Sequence, residues 1–380
     1  MLGQQRPRSP QVHADGSVTF WLAAPDAKSV AVRNTSGGYA DWPDGNELAL
    51  VRDDQGVWSA TIGPIEPEYY SYVFVVDGVQ ALDPGNVAIV RDGARYGNAL
   101  RVPGPRTVDY DVNDVPHGSV AHVWYPSPTL GGTRRMCVYT PPGYEASGDR
   151  YPVLYLLHGG GGDEDAWTTM GRAPQILDNL IARGEARPMI VVMTNGNPFQ
   201  RASQDYLPPA PDVPLIGTGQ PSPRMVRNAG IPEFPESLVR DVVPYVDVAY
   251  RTLAARETRA IAGLSMGGAQ TFYTAFNNLD LFSWVASFSG GFPLMPGVPV
   301  EIAPPANASK LRGPDITRSI DPEGFLRLVP NLDSSVNARL RLLYLAIGTE
   351  DGLITTHNAV KHLLDAQGVK YALMELPGYA

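Results

Sequence analysis

Two patterns of apolar and polar positions divide the chain. Up to about residue 105, apolar and polar residues alternate in short runs, SVTFWLA, SVAVRN, GVWSATI and YYSYVFVV, separated by the turn pairs Asp15-Gly16, Asp44-Gly45 and Asp77-Gly78. Period-two alternation punctuated by Asp-Gly predicts strands joined in hairpins. No helical periodicity of useful length interrupts them, so residues 1–105 are expected to form a small all-β sandwich of about seven strands. Its aromatic residues, Trp21, Trp42, Trp58, Tyr69, Tyr70 and Tyr72, read as core, with stacking on sugar rings as the alternative use. Residues 106–118 read as a polar linker. The D-x-D-x-N run beginning at Asp109 has Asp114 where a calcium loop needs glycine and Val120 where it needs glutamate, so no calcium loop is expected.

From residue 119 to 380 the pattern changes. Apolar runs (YPVLYLLHG, MIVVMTNG, RAIAGLS, WVASFSGG, LRLLYLAIGTEDG, KYALMELPG) alternate with amphipathic segments (QILDNLIARG, FPESLVRDVVPYVDVAY, GAQTFYTAFNNL, HNAVKHLLDAQG). That alternation predicts a parallel sheet with helices on both faces, an α/β domain. In such sheets ligands bind beyond the carboxyl ends of the strands. Candidate chemistry therefore belongs in the loops that follow them.

The loop after RAIAGL carries Gly263-Leu264-Ser265-Met266-Gly267, a G-x-S-x-G between a strand and a helix, the context of a nucleophile elbow. Ser265 is the candidate nucleophile. The loop after VLYLL is His158 followed by four glycines, whose bare N–H groups can face a substrate oxygen. An N–H of this glycine run and that of Met266, the residue after the serine, are the candidate oxyanion donors. No G-K-[ST] follows the glycines, which excludes a phosphate loop. His158 reads as a residue that holds the glycine turn rather than as a base. The loop Gly348-Thr349-Glu350-Asp351-Gly352 supplies a carboxylate after a late strand; Asp351 is preferred over Glu350 as the group that orients a histidine. The remaining histidines are His13, His117, His122, His357 and His362, and none follows the last strand. His357 and His362 read as solvated helix positions. Residues 199–234, long and proline-rich, are expected to line the binding pocket, with Trp167 and Tyr206 as candidate aromatic contacts.

Composition narrows the function classes. A net charge of −9 with no basic stretch excludes nucleic acid as a partner. The single cysteine, Cys137, allows no internal disulfide and reads as a small buried residue. No run of about 18 apolar residues is present, so no membrane association is expected. The segment MLGQQRPRSPQV has no apolar h-region. A secreted or periplasmic protein whose signal peptide is absent from this sequence is expected, with a cytoplasmic one left open. No metal-ligand spacing or nucleotide fingerprint implies a cofactor.

The segments YTPPGYE, YPVLYLLHGGGGDEDAW, FPESLVRDVVPYVDVAYRT, RAIAGLSMGGAQT, FSGGF and GTEDGL resemble the esterase-D-type branch of the α/β-hydrolases, carbohydrate esterase family 1. The first 105 residues, through DGSVTFWLAAPDAKSVAV, GVWSATIGPIEPEYYSYVFVVDG and ALDPGN, resemble the immunoglobulin-like modules that precede carbohydrate-active enzymes, the family-48 carbohydrate-binding type among them. The resemblance implies an α/β-hydrolase fold with Ser265, Asp351, Gly160 and Met266 as site residues, and a histidine just beyond Ala380. It implies serine-dependent hydrolysis of a carboxylic ester on plant cell-wall polysaccharide. The expected substrate is feruloylated arabinoxylan or its oligosaccharides. Acetyl xylan esterase is the alternative within the class, and a non-catalytic carbohydrate-binding protein the alternative outside it. Oligomeric state is left open.

Overall fold

The computed structural model describes residues 8–36, 42–43, 45–203, 231–295 and 320–379, and divides into two units, Met1–Asp114 and Val115–Ala380. In the first, every described strand pairing is antiparallel. One sheet orders Gln11–Val12, Val18–Ala23, Val57–Ile62 and Val51–Arg52; the other orders Glu47–Ala49, Val30–Asn34, Tyr69–Val76, Arg95–Arg101 and Ile89–Asp92, with Val79–Ala81 also on Tyr69–Val76. The alternation read from the sequence is the burial pattern: Val30, Val32 and Asn34 point in, Ala31 and Arg33 lie half-buried. The Asp77-Gly78 turn takes positive φ at both residues, 49° and 86°, as a two-residue hairpin requires. Trp42, Trp58, Tyr70 and Tyr72 are buried in one core with Phe20, whose ring centroid lies 5.0 Å from that of Tyr72. Four of the six aromatic candidates for sugar stacking are therefore consumed by packing. Residues 106–114 are ordered on this unit by a 3-10 turn at Val108–Tyr110 and an Arg101–Asp111 ion pair of 2.6 Å.

The second unit is built on an eight-stranded sheet: β1 Ser119–Ser127, β2 Gly132–Thr140, β3 Val153–Leu157, β4 Ile190–Thr194, β5 Arg259–Leu264, β6 Trp284–Phe288, β7 Leu342–Gly348 and β8 Ala372–Leu376. The spatial order is β1-β2-β4-β3-β5-β6-β7-β8. Pairing is antiparallel for β1–β2 and β2–β4 and parallel from β4 onward. Successive residues of the central strands enter opposite cores. Tyr155, Val192 and Ile261 join the large cluster with Phe234, Leu238, Phe272 and Phe276. Leu156, Val191 and Ala262 join the smaller one with Cys137 and Ala173. Burial on both faces explains why these strands read as unbroken apolar runs. The helices that cover them include α1 Ala173–Ala182, α2 Met266–Asn277 and α3 Ile354–Ala366. The segment FPESLVRDVVPYVDVA is helical through Glu233–Ser237, a π-helical stretch at Leu238–Val242, and Val243–Ala249. After β3 the chain goes to β4 on one side, and β5 lies on the other. The sheet thus reverses direction of travel at β3, and the carboxyl ends of β3 and β5 are where a ligand cleft forms.

Candidate active site

Ser265 sits between β5 and α2 with φ 52° and ψ −112°, a conformation a side chain rarely adopts. The surroundings hold it there. Its N–H donates to the Phe288 carbonyl at 2.9 Å, and its carbonyl accepts from Gly291 N–H at 2.7 Å and Ala269 N–H at 3.2 Å. Both motif glycines are required by close approach: a Cβ on Gly263 would lie 2.2 Å from the Gly267 oxygen, and one on Gly267 would lie 2.6 Å from the oxygens of Leu157 and His158. The Ser265 side chain is half-buried, and its hydroxyl has no hydrogen-bond partner among the described residues.

The glycine loop after β3 lies directly against this turn. A Cβ built on Gly159 would be 3.6 Å from Ser265 Cβ, and one built on Gly160 would be 4.0 Å from Met266 Cβ. Gly267 N–H donates to the His158 carbonyl at 3.1 Å, which ties the loop to the first turn of α2. Among the described residues, neither Gly160 N–H nor Met266 N–H donates to a protein acceptor. Two amides without a protein acceptor, on segments packed against each other at the Ser265 turn, are available to a ligand oxygen.

His158 is buried, and both ring nitrogens are engaged: Nε2 accepts from Gly196 N–H at 2.8 Å, and Nδ1 lies 2.7 Å from the Gly159 carbonyl. A ring accepting at Nε2 carries its proton on Nδ1 and donates it to Gly159. This histidine shapes the loops after β3 and β4.

Asp351 follows β7, half-buried, its Oδ1 accepting from Leu353 N–H at 2.7 Å. The segment after β8 is stitched to the same loop: Thr349 N–H donates to Leu376 O at 3.0 Å, Glu350 N–H to Tyr379 O at 2.8 Å, and Gly378 N–H to Thr349 Oγ1 at 3.0 Å. Pro377–Tyr379 therefore lies alongside the acidic loop. The other histidines are placed elsewhere. His13 reaches Thr19, His117 pairs with Asp178 at 3.0 Å, and His122 with Asp165 at 2.9 Å. His362 is exposed as expected, but His357 is not: it is buried on α3, its Nε2 without a hydrogen-bond partner. Burial, then the Lys361 charge, hold its pKa down to about 4 against the opposing pull of Glu375 and Asp351. The solvated reading fails because position 357 falls on the face of α3 that carries Val360 and Leu364 into the core.

Trp167 lies in a one-turn helix, Ala166–Thr169, packed on the smaller core with its ring against Gly171, where a Cβ would lie 2.5 Å from the indole. Tyr206 and residues 204–230 of the proline-rich segment lie outside the described residues.

Several residues that organise the site carried no sequence signal. Gln270, fully buried on α2, donates from Nε2 to the Gly196 carbonyl at 3.0 Å. Arg134 and Arg135 are buried on β2. Arg134 caps the carbonyls of Asn195, Asn197 and Pro198. Arg135 Nε donates to Glu164 at 2.7 Å, and Glu164 also accepts from Ser203 N–H at 2.8 Å and Asn195 at 3.1 Å. Nothing in the sequence marks the two adjacent arginines; the fold shows that they fasten the loops around the glycine turn.

Comparison with known proteins is consistent with this geometry. A family profile described as "Putative esterase" matches residues 127–371. An endo-1,4-beta-xylanase/feruloyl esterase of Xylanibacter ruminicola is 32% identical over 298 residues, 76% of this chain and 37% of that protein. Endo-1,4-beta-xylanase Y of Acetivibrio thermocellus is 28% identical over 174 residues, 43% of this chain and 14% of that protein. The chain thus spans well under half the length of these curated relatives. Among solved structures, an enterobactin esterase from Shigella flexneri superposes with a TM-score of 0.66 at 17% identity, covering 99% of this chain and 92% of that one. A ferulic acid esterase from Anaeromyces mucronatus, in complex with ferulic acid, gives 0.51 at 22% identity, covering 72% and 89%. At these identities the two structures speak for the fold.

Proposed function

Because this chain belongs to the Putative esterase family, we propose that it is a serine carboxylic-ester hydrolase acting on plant cell-wall polysaccharide, releasing ferulate from arabinoxylan. The observation that supports the reading is the Ser265 backbone at φ 52°, which holds a side chain with no hydrogen-bond partner among the described residues at a turn packed against the Gly159-Gly160 loop. The hydroxyl attacks the ester carbonyl and gives up its proton to a histidine, and the carbonyl oxygen becomes an oxyanion received by the N–H groups of Gly160 and Met266. Collapse of the tetrahedral intermediate expels the sugar alcohol with that proton, leaving an acyl-enzyme that water then hydrolyses. Asp351 orients the histidine that moves the proton. A histidine entering just past Ala380, where the resemblance expects it, would do so beside the Asp351 loop, because Tyr379 is bonded to Glu350.

The feruloyl reading is supported by the 32%-identical relative, whose name pairs xylanase with feruloyl esterase. Secretion follows from the same reading, since xylan is met outside the cell. No described helix is long and apolar enough to cross a membrane. The test is turnover of feruloylated arabinoxylan oligosaccharides by the protein in its native length beside its Ser265→Ala variant. Ferulate release abolished by the substitution supports the proposal. Release of acetate from acetylated xylan in its place moves the assignment to acetyl xylan esterase, and xylan binding without ester turnover refutes catalysis.

A further inference from the structure

Away from the elbow, three side chains from three separate elements converge at the edge of the sheet. His122 of β1 and Cys137 of β2 face each other directly in the antiparallel register. Asp165 arrives from the loop after β3, just past the glycine turn. His122 Nε2 lies 2.9 Å from Asp165 Oδ1, and the Cys137 thiol donates to the same oxygen at 3.2 Å. One ligand atom from each of the three falls within 4.8 Å of the others. Zinc bonds of roughly 2.0–2.3 Å in tetrahedral array space their ligand atoms roughly 3–4 Å apart. The cluster therefore needs only small adjustments to close on an ion.

The rest of the environment supports a cation there. Asp165 Oδ2 is occupied by Ser203 Oγ at 2.8 Å and by Arg135 at 3.4 Å, which leaves Oδ1 to face His122 and Cys137. Carboxylate ligands oriented by a second layer of donors in this way are typical of metal sites. Arg135 is shared by two buried carboxylates, Glu164 and Asp165, so the pocket already holds one more negative charge than positive. With Cys137 as thiolate and His122 neutral, one divalent cation brings the group to neutrality. The His122 side chain is 53% exposed, which gives an entry path and room for a water as fourth ligand.

We propose that His122, Cys137 and Asp165 form a structural site for a borderline-soft divalent cation, zinc by ligand type, which fastens the β1–β2 edge to the loop that carries the glycine turn. Imidazole plus thiolate disfavours calcium and magnesium. On binding, the thiol proton leaves to solvent as the sulfur–metal bond forms, and the hydrogen bonds to Asp165 Oδ1 are replaced by metal bonds. The site is distinct from the Ser265 centre and stands whether or not the ester substrate is the one proposed above.

The test uses the whole chain, stripped with a chelator and titrated with Zn²⁺ against a chromogenic indicator, then with Co²⁺ as a spectroscopic probe. One equivalent of Zn²⁺ is expected to bind, with H122A and C137S each weakening it roughly tenfold or more. The thiolate-to-cobalt charge-transfer band is expected in the unaltered protein and lost in C137S. Zn²⁺ should also raise the Tm of the unaltered protein and not that of H122A, whose exposed position keeps folding out of question. Absence of stoichiometric Zn²⁺ binding, or binding that both substitutions leave unchanged, overturns the proposal.

Discussion

Gly196 N–H donates to Nε2 of His158 at 2.8 Å, so the loop after β4 is hung from a side chain of the loop after β3. The Gly196 carbonyl is held in turn by Gln270 of α2. Replacing His158 with Phe keeps the volume but leaves the buried Gly196 N–H without its acceptor, while the Gly159 carbonyl keeps its second donor, Gly162 N–H at 3.1 Å. The expected cost is about 1–3 kcal/mol for such an orphaned group, read as a lower urea midpoint with an unchanged slope. Ser265→Ala, by contrast, should leave the midpoint no lower.

Strain at the elbow makes a prediction of opposite sign for stability and activity. A non-glycine residue at φ 52°, ψ −112° costs of order 1–3 kcal/mol. Ser265→Gly should therefore raise the Tm while ester turnover falls by roughly 10³-fold or more. A variant that lost stability would show that the hydroxyl is a structural anchor.

The glycine after the nucleophile is expected to be intolerant. Gly267→Ala puts a methyl 2.6 Å from the backbone oxygens of Leu157, at the end of β3, and His158, which opens the loop after it. Backbone cannot yield as a flexible side chain can, so the loop must shift, at roughly 1–3 kcal/mol of overpacking. With Gly160 N–H as the proposed oxyanion donor, turnover should drop mainly in kcat, while substrate contacts elsewhere persist.

His357 predicts a pH dependence. Its folded pKa, held near 4, lies below the ordinary 6.5, so the unfolded chain takes up a proton that the folded one refuses. Its contribution is fully present above about pH 6.5 and is lost progressively as pH falls from there toward about 4. Denaturant midpoints at about pH 7 and about pH 5 should differ less in a His357→Leu variant than in the unaltered protein.

Removing Arg135 strands two carboxylates. Glu164 is wholly buried and accepts from Arg135 Nε, and Arg135→Met takes away the only cation that the described contacts give it. Breaking a buried ion pair from one side costs about 3–5 kcal/mol. Thermal denaturation should show the loss, and Glu164→Gln in the same chain should restore part of it.

What the sequence revealed and what it concealed follow from range. Hairpins in the first unit were legible because Asp77-Gly78 and period-two burial are local. The elbow is legible because Gly263, Ser265 and Gly267 fall within five residues and the requirement for the glycines is steric. The burial of His357 is not legible, because a single polar residue on the apolar face of α3 leaves no periodic trace. His122, Cys137 and Asp165 carry no recognisable spacing, since sheet register and a loop bring them together. Arg134 and Arg135 were invisible for the same reason: their partners lie around residues 164 and 195–203.

The crowding around Gly263, Gly267 and Gly268, where added Cβ atoms would meet neighbours at 2.2, 2.6 and 2.5 Å, bears on how this scaffold can be re-engineered. Libraries that randomise those three positions will be nearly empty of folded clones. Under the proposed ester hydrolysis, acyl preference would instead be tuned from loops whose side chains end in open space, so diversity is best spent far from Ser265 in sequence.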